Sequence, residues 1–201
     1  MSTEAGEKTR WPRDTAKRVA TELERALVDA CTRIAVAGSL RRGKELVGDI
    51  ELVYVPRVVR MKDPADLFQD KDVDLTVGVI RLLEQRGVLC RRRNALGRET
   101  FGPLNKLMVH AESQIPVDLF ATMEACWWNY LVCRTGPAES NVRIAAAARR
   151  QGWMWNPTGP GFSRVVPGQG TEVEQMDSEA AVFEWVGLPC PEFQRTKEEK
   201  L

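Results

Sequence analysis

The sequence of 201 residues contains a single histidine, His110, and its five cysteines are scattered without a Cys-x-x-Cys pair. A single histidine argues against a histidine-based zinc site and against a Ser-His hydrolase. An odd number of dispersed cysteines argues against a disulfide framework. No stretch approaches the roughly 18 apolar residues of a membrane-spanning helix. The polar start also lacks the apolar centre of a secretory signal. We therefore expect a protein that is not secreted and that works in the cytoplasm or, in a bacterium, at the nucleoid.

A large excess of charge of one sign is also missing. The chain has 29 Lys and Arg against 28 Asp and Glu, a formal net charge of +1. Domains that bind nucleic acids are usually strongly basic, so such a role would depend on local groups such as the three arginines at 91–93. The hydrophobic fraction of 43% and the charged fraction of 28% are ordinary for a folded protein.

Periodicity in the sequence predicts an α/β fold of the α+β kind, with helices against a sheet and a smaller second lobe. Predicted strands cover residues 34–37, 49–55, 88–92, 104–111 and 115–120. Predicted helices cover residues 14–30 (with Asp14 as the cap), 75–85, 122–132, 141–151 and 178–186. We expect an acidic loop at 63–75 and turns rich in Pro and Gly at 156–170.

The segment GSLRRGKELVGDIELVYV, residues 38–55, places a turn suited to anions close to two acids. Gly38 allows the backbone to approach a phosphate, and Ser39 adds a hydroxyl at the start of a helical turn whose N–H groups point outward. Arg42 can bind the same anion. Strand alternation puts Asp49 and Glu51 on one face of the following strand.

Two neighbouring carboxylates repel each other unless a cation lies nearby. Mg²⁺ prefers such oxygen ligands, and Asp118, on a later strand, offers a third acid. Three clustered carboxylates can hold two metal ions that stabilise the attacking and leaving oxygens of a phosphoryl transfer. A lone Asp-x-Glu on a strand is more often a solvated sheet face, but the order of strand, Gly-Ser turn, paired arginines and later Val-Asp-Leu favours the metal site.

AGSLRRGKELVGDIELV and IPVDLF resemble the palm of the family X DNA polymerases, within the polymerase-beta-like nucleotidyltransferase superfamily. RTGPAESNVRIAAAARRQGWMWNPTGPGF resembles their thumb, and SEAAVFEWVGLPCPEF resembles its closing helix. The resemblance covers most of residues 16–195. It implies a palm at 14–122, with a mixed sheet flanked by helices, and a small thumb at 123–194, without the family's lyase and fingers regions. The polar ends at 1–13 and 195–201 are expected to be flexible. The expected form is a minimal palm and thumb.

The resemblance also implies roles for individual residues. Catalysis and the binding of two Mg²⁺ ions, which Mn²⁺ can replace, fall to Asp49, Glu51 and Asp118. Contacts with the nucleotide fall to Gly38, Ser39, Arg42, Gly48, Arg134, Gly136 and Asn141. Contacts with DNA fall to Lys106 and Arg143. Two positions depart from the family pattern: Glu51 replaces the usual Asp, and Cys133-Arg134 replaces an aromatic pair that screens the sugar.

By this resemblance, the chain transfers nucleoside monophosphates from a nucleoside triphosphate to a DNA 3′-hydroxyl and releases pyrophosphate, as a polymerase that fills short gaps in repair. The expected partners are primer-template or gapped DNA and accessory repair proteins, with the chain itself a monomer that binds no membrane. A template-independent or small-molecule nucleotidyltransferase is an alternative, favoured by Glu51 and the near-neutral charge. A binding protein that lacks activity is a further alternative, which the presence of all three acids disfavours.

Overall fold

The computed structural model describes residues 9–63 and 66–194, which form six helices and twelve strands. The helices are α1 (Arg13–Leu27), α2 (Gly38–Arg41), α3 (Leu75–Gln85), α4 (Trp127–Thr135), α5 (Ala138–Arg150) and α6 (Glu179–Trp185). The strands are β1 (Trp11–Pro12), β2 (Cys31–Val36), β3 (Leu46–Val47), β4 (Ile50–Pro56), β5 (Val58–Asp63), β6 (Asp66–Asp74), β7 (Leu89–Arg91), β8 (Asn105–His110), β9 (Pro116–Ala121), β10 (Met154–Trp155), β11 (Gly161–Val166) and β12 (Gly170–Gln175). Short 3-10 turns lie at Val28–Ala30, Glu124–Cys126 and Glu192–Gln194.

The main sheet has five strands in the order β2-β4-β9-β8-β7. Strands β4 and β9 are parallel, whereas the other three neighbouring pairs are antiparallel. The sheet is therefore mixed, and helices pack against both of its faces. This confirms the predicted fold class.

The two faces of β4 bury different side chains, as strand alternation predicts. Ile50, Leu52 and Tyr54 pack in the cluster that includes α1 and α3. Val53 and Val55 belong instead to a second cluster with residues of α4. Because Glu51 and Val53 are two residues apart on the same strand, their side chains share a face. The Glu51 side chain therefore starts on the α4 side of the sheet.

The second half of the chain has its own apolar cluster, built from α5, α6 and the antiparallel sheet β10-β11-β12. Ile144 of α5, Phe162 of β11 and Val182 of α6 are each fully buried there. Trp185 stacks on Phe162 with 4.7 Å between ring centroids. Val132 of α4 belongs to the same cluster, so α4 links this lobe to the main sheet.

Local features of the sequence explain where several predicted helices begin or end. Helix α3 spans the predicted residues, and Gly87 follows its end with φ +69°. Ser178 caps α6, since its Oγ accepts a hydrogen bond from the backbone N–H of Ala181 at 3.1 Å. Helix α1 starts earlier than predicted, because Pro12 occupies the cap position and Asp14 lies in the first turn.

Two predicted irregular segments are strands instead. Within the predicted acidic loop at 63–75, the described residues 66–74 form β6, which pairs with β5 as an antiparallel ribbon. Ion pairs cross the ribbon, as between Lys62 Nζ and Asp70 Oδ1 at 2.9 Å. The turns predicted at 156–170 contain β11, which pairs with β12 in a second antiparallel hairpin. Opposite charges facing each other across strands stabilise such ribbons, and composition alone did not reveal them.

The expectation of a flexible start reaching residue 13 is corrected in part. Trp11–Pro12 pairs with Leu46–Val47, and the Trp11 indole N–H donates a hydrogen bond to the backbone carbonyl of Ser113 at 3.1 Å. Residues 1–8 of that segment and the predicted tail at 195–201 lie outside the described residues. Within 9–63 and 66–194, no helix is long and apolar enough to cross a membrane.

Candidate active site

Two of the three predicted acids face each other across neighbouring strands. Glu51 of β4 and Asp118 of β9 are direct partners in the parallel register. Parallel strands lie about 4.8 Å apart, so the two side chains start close together on the same face. Asp49 precedes β4 with the same parity as Glu51 and is half-buried. The parallel pairing of β4 with β9 thus brings two of the three acids together.

The carboxylates lie in a half-buried setting among arginines. Burial, and next the negative charge of Asp49, raises the pKa of Glu51 to about 7, although the charges of Arg134 and Arg42 oppose this rise. Burial also raises the pKa of Asp118, while a hydrogen bond and the charge of Arg92 lower it. The acids therefore repel each other, and nearby cations reduce the repulsion.

The donor set has the chemistry that Mg²⁺ prefers, since all three predicted ligands are carboxylates. Their present conformation does not suit a metal ion, however. In the part of the chain that the structure describes, no three His, Cys, Asp or Glu side chains are arranged to hold a metal ion together. Arg92 Nη2 donates a hydrogen bond to Asp118 Oδ1, and Glu51 Oε2 lies against Gly38. The acids would have to rotate to share a cation.

The turn at Gly38 is built around Glu51. Gly38 has φ +62°, and a β-carbon at this position would overlap Glu51 Oε2. The backbone conformation therefore favours glycine at this position, and the Glu51 carboxylate would have to shift to admit a β-carbon. Ser39 follows in the first turn of α2. By contrast, a β-carbon at Gly48 would meet nothing within 4 Å, so the structure gives no steric reason for glycine there.

Arg42 connects α2 to the end of α4. Its Nη1 donates a hydrogen bond to the backbone carbonyl of Thr135. Gly136, with φ +61°, ends α4 beside it, and a β-carbon at Gly136 would lie 3.3 Å from Arg42 Nη1. The side chain predicted to contact the triphosphate thus lies where the main sheet meets the second lobe.

Arg134 lies in the last turn of α4, beyond the predicted end of that helix at residue 132. Its guanidinium stacks on the ring of Phe120 at 3.6 Å, and its Nη2 donates a hydrogen bond to the Tyr130 hydroxyl at 2.9 Å. The side chain is therefore held rigidly, with its charge near Glu51 and Asp118. It takes no part in a flexible loop.

Polar atoms that are buried without a hydrogen-bond partner are concentrated in this region. Among the described residues there are six such side-chain atoms, and four belong to Ser39 (Oγ), Arg92 (Nε), Arg134 (Nε) and Asn141 (Oδ1). Asn141 uses only its Nδ2, which donates to the Cys133 carbonyl at 2.8 Å. Buried polar atoms in folded proteins are nearly always paired. Their concentration here is what a site for a polar ligand would show.

The two residues predicted to contact DNA, Lys106 and Arg143, differ in their exposure to solvent. Lys106 is 1% exposed, and its Nζ donates to the Tyr54 hydroxyl at 3.0 Å and the Pro103 carbonyl at 3.4 Å. From this conformation the buried ammonium group of Lys106, on β8, cannot reach a DNA phosphate, so the expected contact stays a prediction that would need the side chain to move. Arg143 lies exposed on α5 and remains accessible.

Sequence reasoning missed the contact between Arg92 and Asp118. The arginines at 91–93 were expected either to follow a DNA backbone or to form a solvated strand edge. The alternation of side chains along an extended strand could have predicted this contact, because it directs Arg92 to the opposite face from Arg91 and Arg93. Arg91 and Arg93 are indeed exposed, whereas Arg92 is half-buried.

A buried ion pair between the lobes was also missed. Arg41 of α2 donates two hydrogen bonds to Glu179 of α6, at 2.8 and 2.6 Å, and a third to Thr135 Oγ1 at 3.0 Å. Glu179 is 2% exposed. No local pattern marks either residue, because the partners are 138 positions apart.

The raised pKa of Glu51 predicts how stability depends on pH. Its value of about 7, against 4.5 for an unperturbed glutamate, means that folding favours the protonated form. The stabilisation is full below about pH 4.5 and is lost as pH rises through about 7. From pH 5 to 8 without divalent cations, we expect wild type to lose up to about 3 kcal/mol of unfolding free energy relative to Glu51→Gln. Urea denaturation measures this, and parallel pH profiles for the two proteins would contradict the shift.

Comparison with known proteins places this geometry in a known fold. A crystal structure of Leishmania infantum polymerase beta in a ternary P/T complex is similar over 94% of this chain and 77% of that chain, with a TM-score of 0.67 and 16% sequence identity. A ternary gap complex of Leishmania infantum polymerase beta is similar over 92% and 70%, with a TM-score of 0.69 and 16% identity. No family model and no curated protein sequence matches the chain. The chain therefore has a fold like that of polymerase beta, with its mixed five-stranded sheet flanked by helices.

Proposed function

We propose that this protein is a metal-dependent nucleotidyltransferase of the family X type that extends DNA. It would transfer a nucleoside monophosphate from a nucleoside triphosphate to a DNA 3′-hydroxyl and release pyrophosphate. The observation that carries this proposal is the direct pairing of Glu51 with Asp118 across parallel strands, beside the turn at Gly38. The polymerase-beta-like fold supports it.

Each side chain of the candidate site would have a role that follows from its chemistry. Ser39 Oγ, buried and without a partner among the described residues, would donate a hydrogen bond to a phosphate oxygen. Asp118 would accept the proton of the attacking hydroxyl, and burial, which raises the pKa of its carboxyl group, favours this role. Asn141 has a free acceptor, Oδ1, for a donor on the nucleotide.

Asp49, Glu51 and Asp118 would hold two Mg²⁺ ions, or Mn²⁺ in their place, once Asp118 and Glu51 have rotated. When bound, the ions supply positive charge that offsets the triphosphate and polarises the reacting oxygens. Arg134 would add a fixed positive charge at the same place, because stacking on Phe120 holds its guanidinium rigidly.

DNA is the acceptor that we favour. The similar Leishmania structures are a ternary P/T complex and a ternary gap complex, and the similarity extends over more than nine-tenths of this chain. It thus includes the second lobe, where Arg143 is exposed on α5. We propose primer-template or gapped DNA as partner and short-gap filling in repair as the role, with the chain acting as a monomer in the cytoplasm alongside accessory repair proteins.

A template-independent or small-molecule nucleotidyltransferase is the second candidate. It would use the same three acids and the same turn. The formal net charge of +1 favours it, because binding to DNA usually draws on a basic domain. The second lobe argues against it, since a small acceptor would not need the surface of α5.

Extension of a labelled primer separates the two candidates. We expect incorporation on a duplex with a one-nucleotide gap to follow the template base, with at least about tenfold preference for the paired nucleotide. The same primer as a single strand, and pyrophosphate release without DNA, serve as controls. Equal incorporation of all four nucleotides with and without template would establish template-independent transfer. Pyrophosphate release only with a small acceptor would overturn the polymerase proposal.

A further inference from the structure

Arg92 is directed at Asp118 by its place in the fold. It follows β7, and its backbone N–H donates to the Leu107 carbonyl at 3.1 Å, which fixes the segment against β8. Its neighbours point away: Arg91 donates to Glu84 Oε1 at 2.8 Å, and Arg93 donates to the Gly97 carbonyl at 3.2 Å. Arg92 is thus the arginine of the three that reaches the acids.

The attachment of Arg92 to Asp118 is limited to one hydrogen bond. Within the described residues, Nη2 donates to Asp118 Oδ1, while the buried Nε has no partner. The side chain is 29% exposed and that of Asp118 is 16% exposed. A guanidinium normally binds a carboxylate through two parallel hydrogen bonds. The single bond and the partial exposure leave Arg92 able to turn toward solvent without unfolding its strand.

The guanidinium occupies one oxygen of a carboxylate that a cation would need. It also places a full positive charge where a divalent ion would approach, and like charges at this range repel. Among the described residues the three acids do not converge as a ligand set, and Arg92 holds one of them. The arginine offsets the repulsion among the acids while no metal is bound.

We propose that Arg92 is an internal counter-ion of Asp118 that competes with divalent cations for this carboxylate and must release it before a metal ion binds. Arg92 is thereby a positioning residue, which acts on the reaction through Asp118. The inference rests on the proposed function, because it assumes that Asp118 binds metal. It predicts that the nucleotide-free protein holds cations more weakly than its three acids alone would allow.

Titration of Mn²⁺ into the full chain without nucleotide or DNA tests the proposal, with free Mn²⁺ followed by electron paramagnetic resonance. We expect Arg92→Met to bind Mn²⁺ about five- to tenfold more tightly than wild type, since one nearby positive charge is removed. Arg92→Lys retains the charge and should stay within about twofold of wild type. Arg93→Met, at an exposed arginine that does not contact the acids, is the matched control and should leave the affinity unchanged.

A purely structural role for Arg92 would lower the thermal midpoint of Arg92→Met but would not tighten Mn²⁺ binding. Equal or weaker binding by a folded Arg92→Met, verified by circular dichroism, overturns the inference. Arg92→Gln replaces it if the methionine variant does not fold. If Asp118→Asn abolishes incorporation while Arg92→Met binds Mn²⁺ like wild type, only this inference fails. If Asp118→Asn neither alters Mn²⁺ binding nor lowers incorporation, the proposed function fails with it.

Discussion

Replacing Asp118 by Asn should lower nucleotide incorporation by about a thousandfold or more, because the change removes both a metal ligand and the proton acceptor. Asparagine has nearly the same size and can still accept a hydrogen bond from Arg92, so β9 should keep its packing. Single-turnover extension of a primer on gapped DNA measures the effect. DNA binding, measured by fluorescence anisotropy, should stay close to that of wild type.

The control for this variant is Asp29→Asn. Asp29 is exposed in the 3-10 turn after α1, at the opposite end of β2 from the turn at Gly38. The same chemical change there should leave incorporation within about twofold, as for most surface substitutions. Incorporation by Asp118→Asn that equals that of wild type would refute the role given to this residue and, with it, the proposed chemistry.

Glu179→Ala should destabilise the protein by about 3 to 5 kcal/mol, the usual cost of leaving one partner of a buried ion pair uncompensated. The Glu179 side chain is 1% exposed and that of Arg41 is 15% exposed, with 2.6 Å between Arg41 Nη2 and Glu179 Oε2. Loss of the carboxylate would remove the two hydrogen bonds that the Arg41 guanidinium donates from α2 to α6. Urea denaturation measures the loss of unfolding free energy.

Glu172→Ala provides a matched control, because Arg164 Nε and Glu172 Oε2 also lie 2.6 Å apart. Their side chains are 44% and 47% exposed, however, and exposed pairs contribute at most about 1 kcal/mol. The contrast isolates burial as the cause of the effect. A loss in Glu179→Ala no larger than that in Glu172→Ala would show that the pair does not stabilise the junction of the two lobes.

Local signals in the sequence determined much of the scaffold. The alternation from Asp49 onward assigned the faces of β4, and Gly87 and Ser178 marked the end of α3 and the start of α6. Such features depend on contacts between residues a few positions apart, so a single sequence reveals them. The glycine at 38 was also predicted to allow a close approach, and in the structure the Glu51 carboxylate lies against it.

Only the tertiary structure decided which of these residues meet. The parallel pairing of β4 with β9 brings Glu51 opposite Asp118, and the same sheet encloses Lys106, which the sequence had suggested for DNA. The contact of Arg92 with Asp118 joins residues that are 26 positions apart in the sequence. The contact of Arg41 with Glu179 joins residues that are 138 positions apart. Contacts at such separations depend on strand order and lobe packing, which follow from burial of the whole chain and not from any short pattern within it.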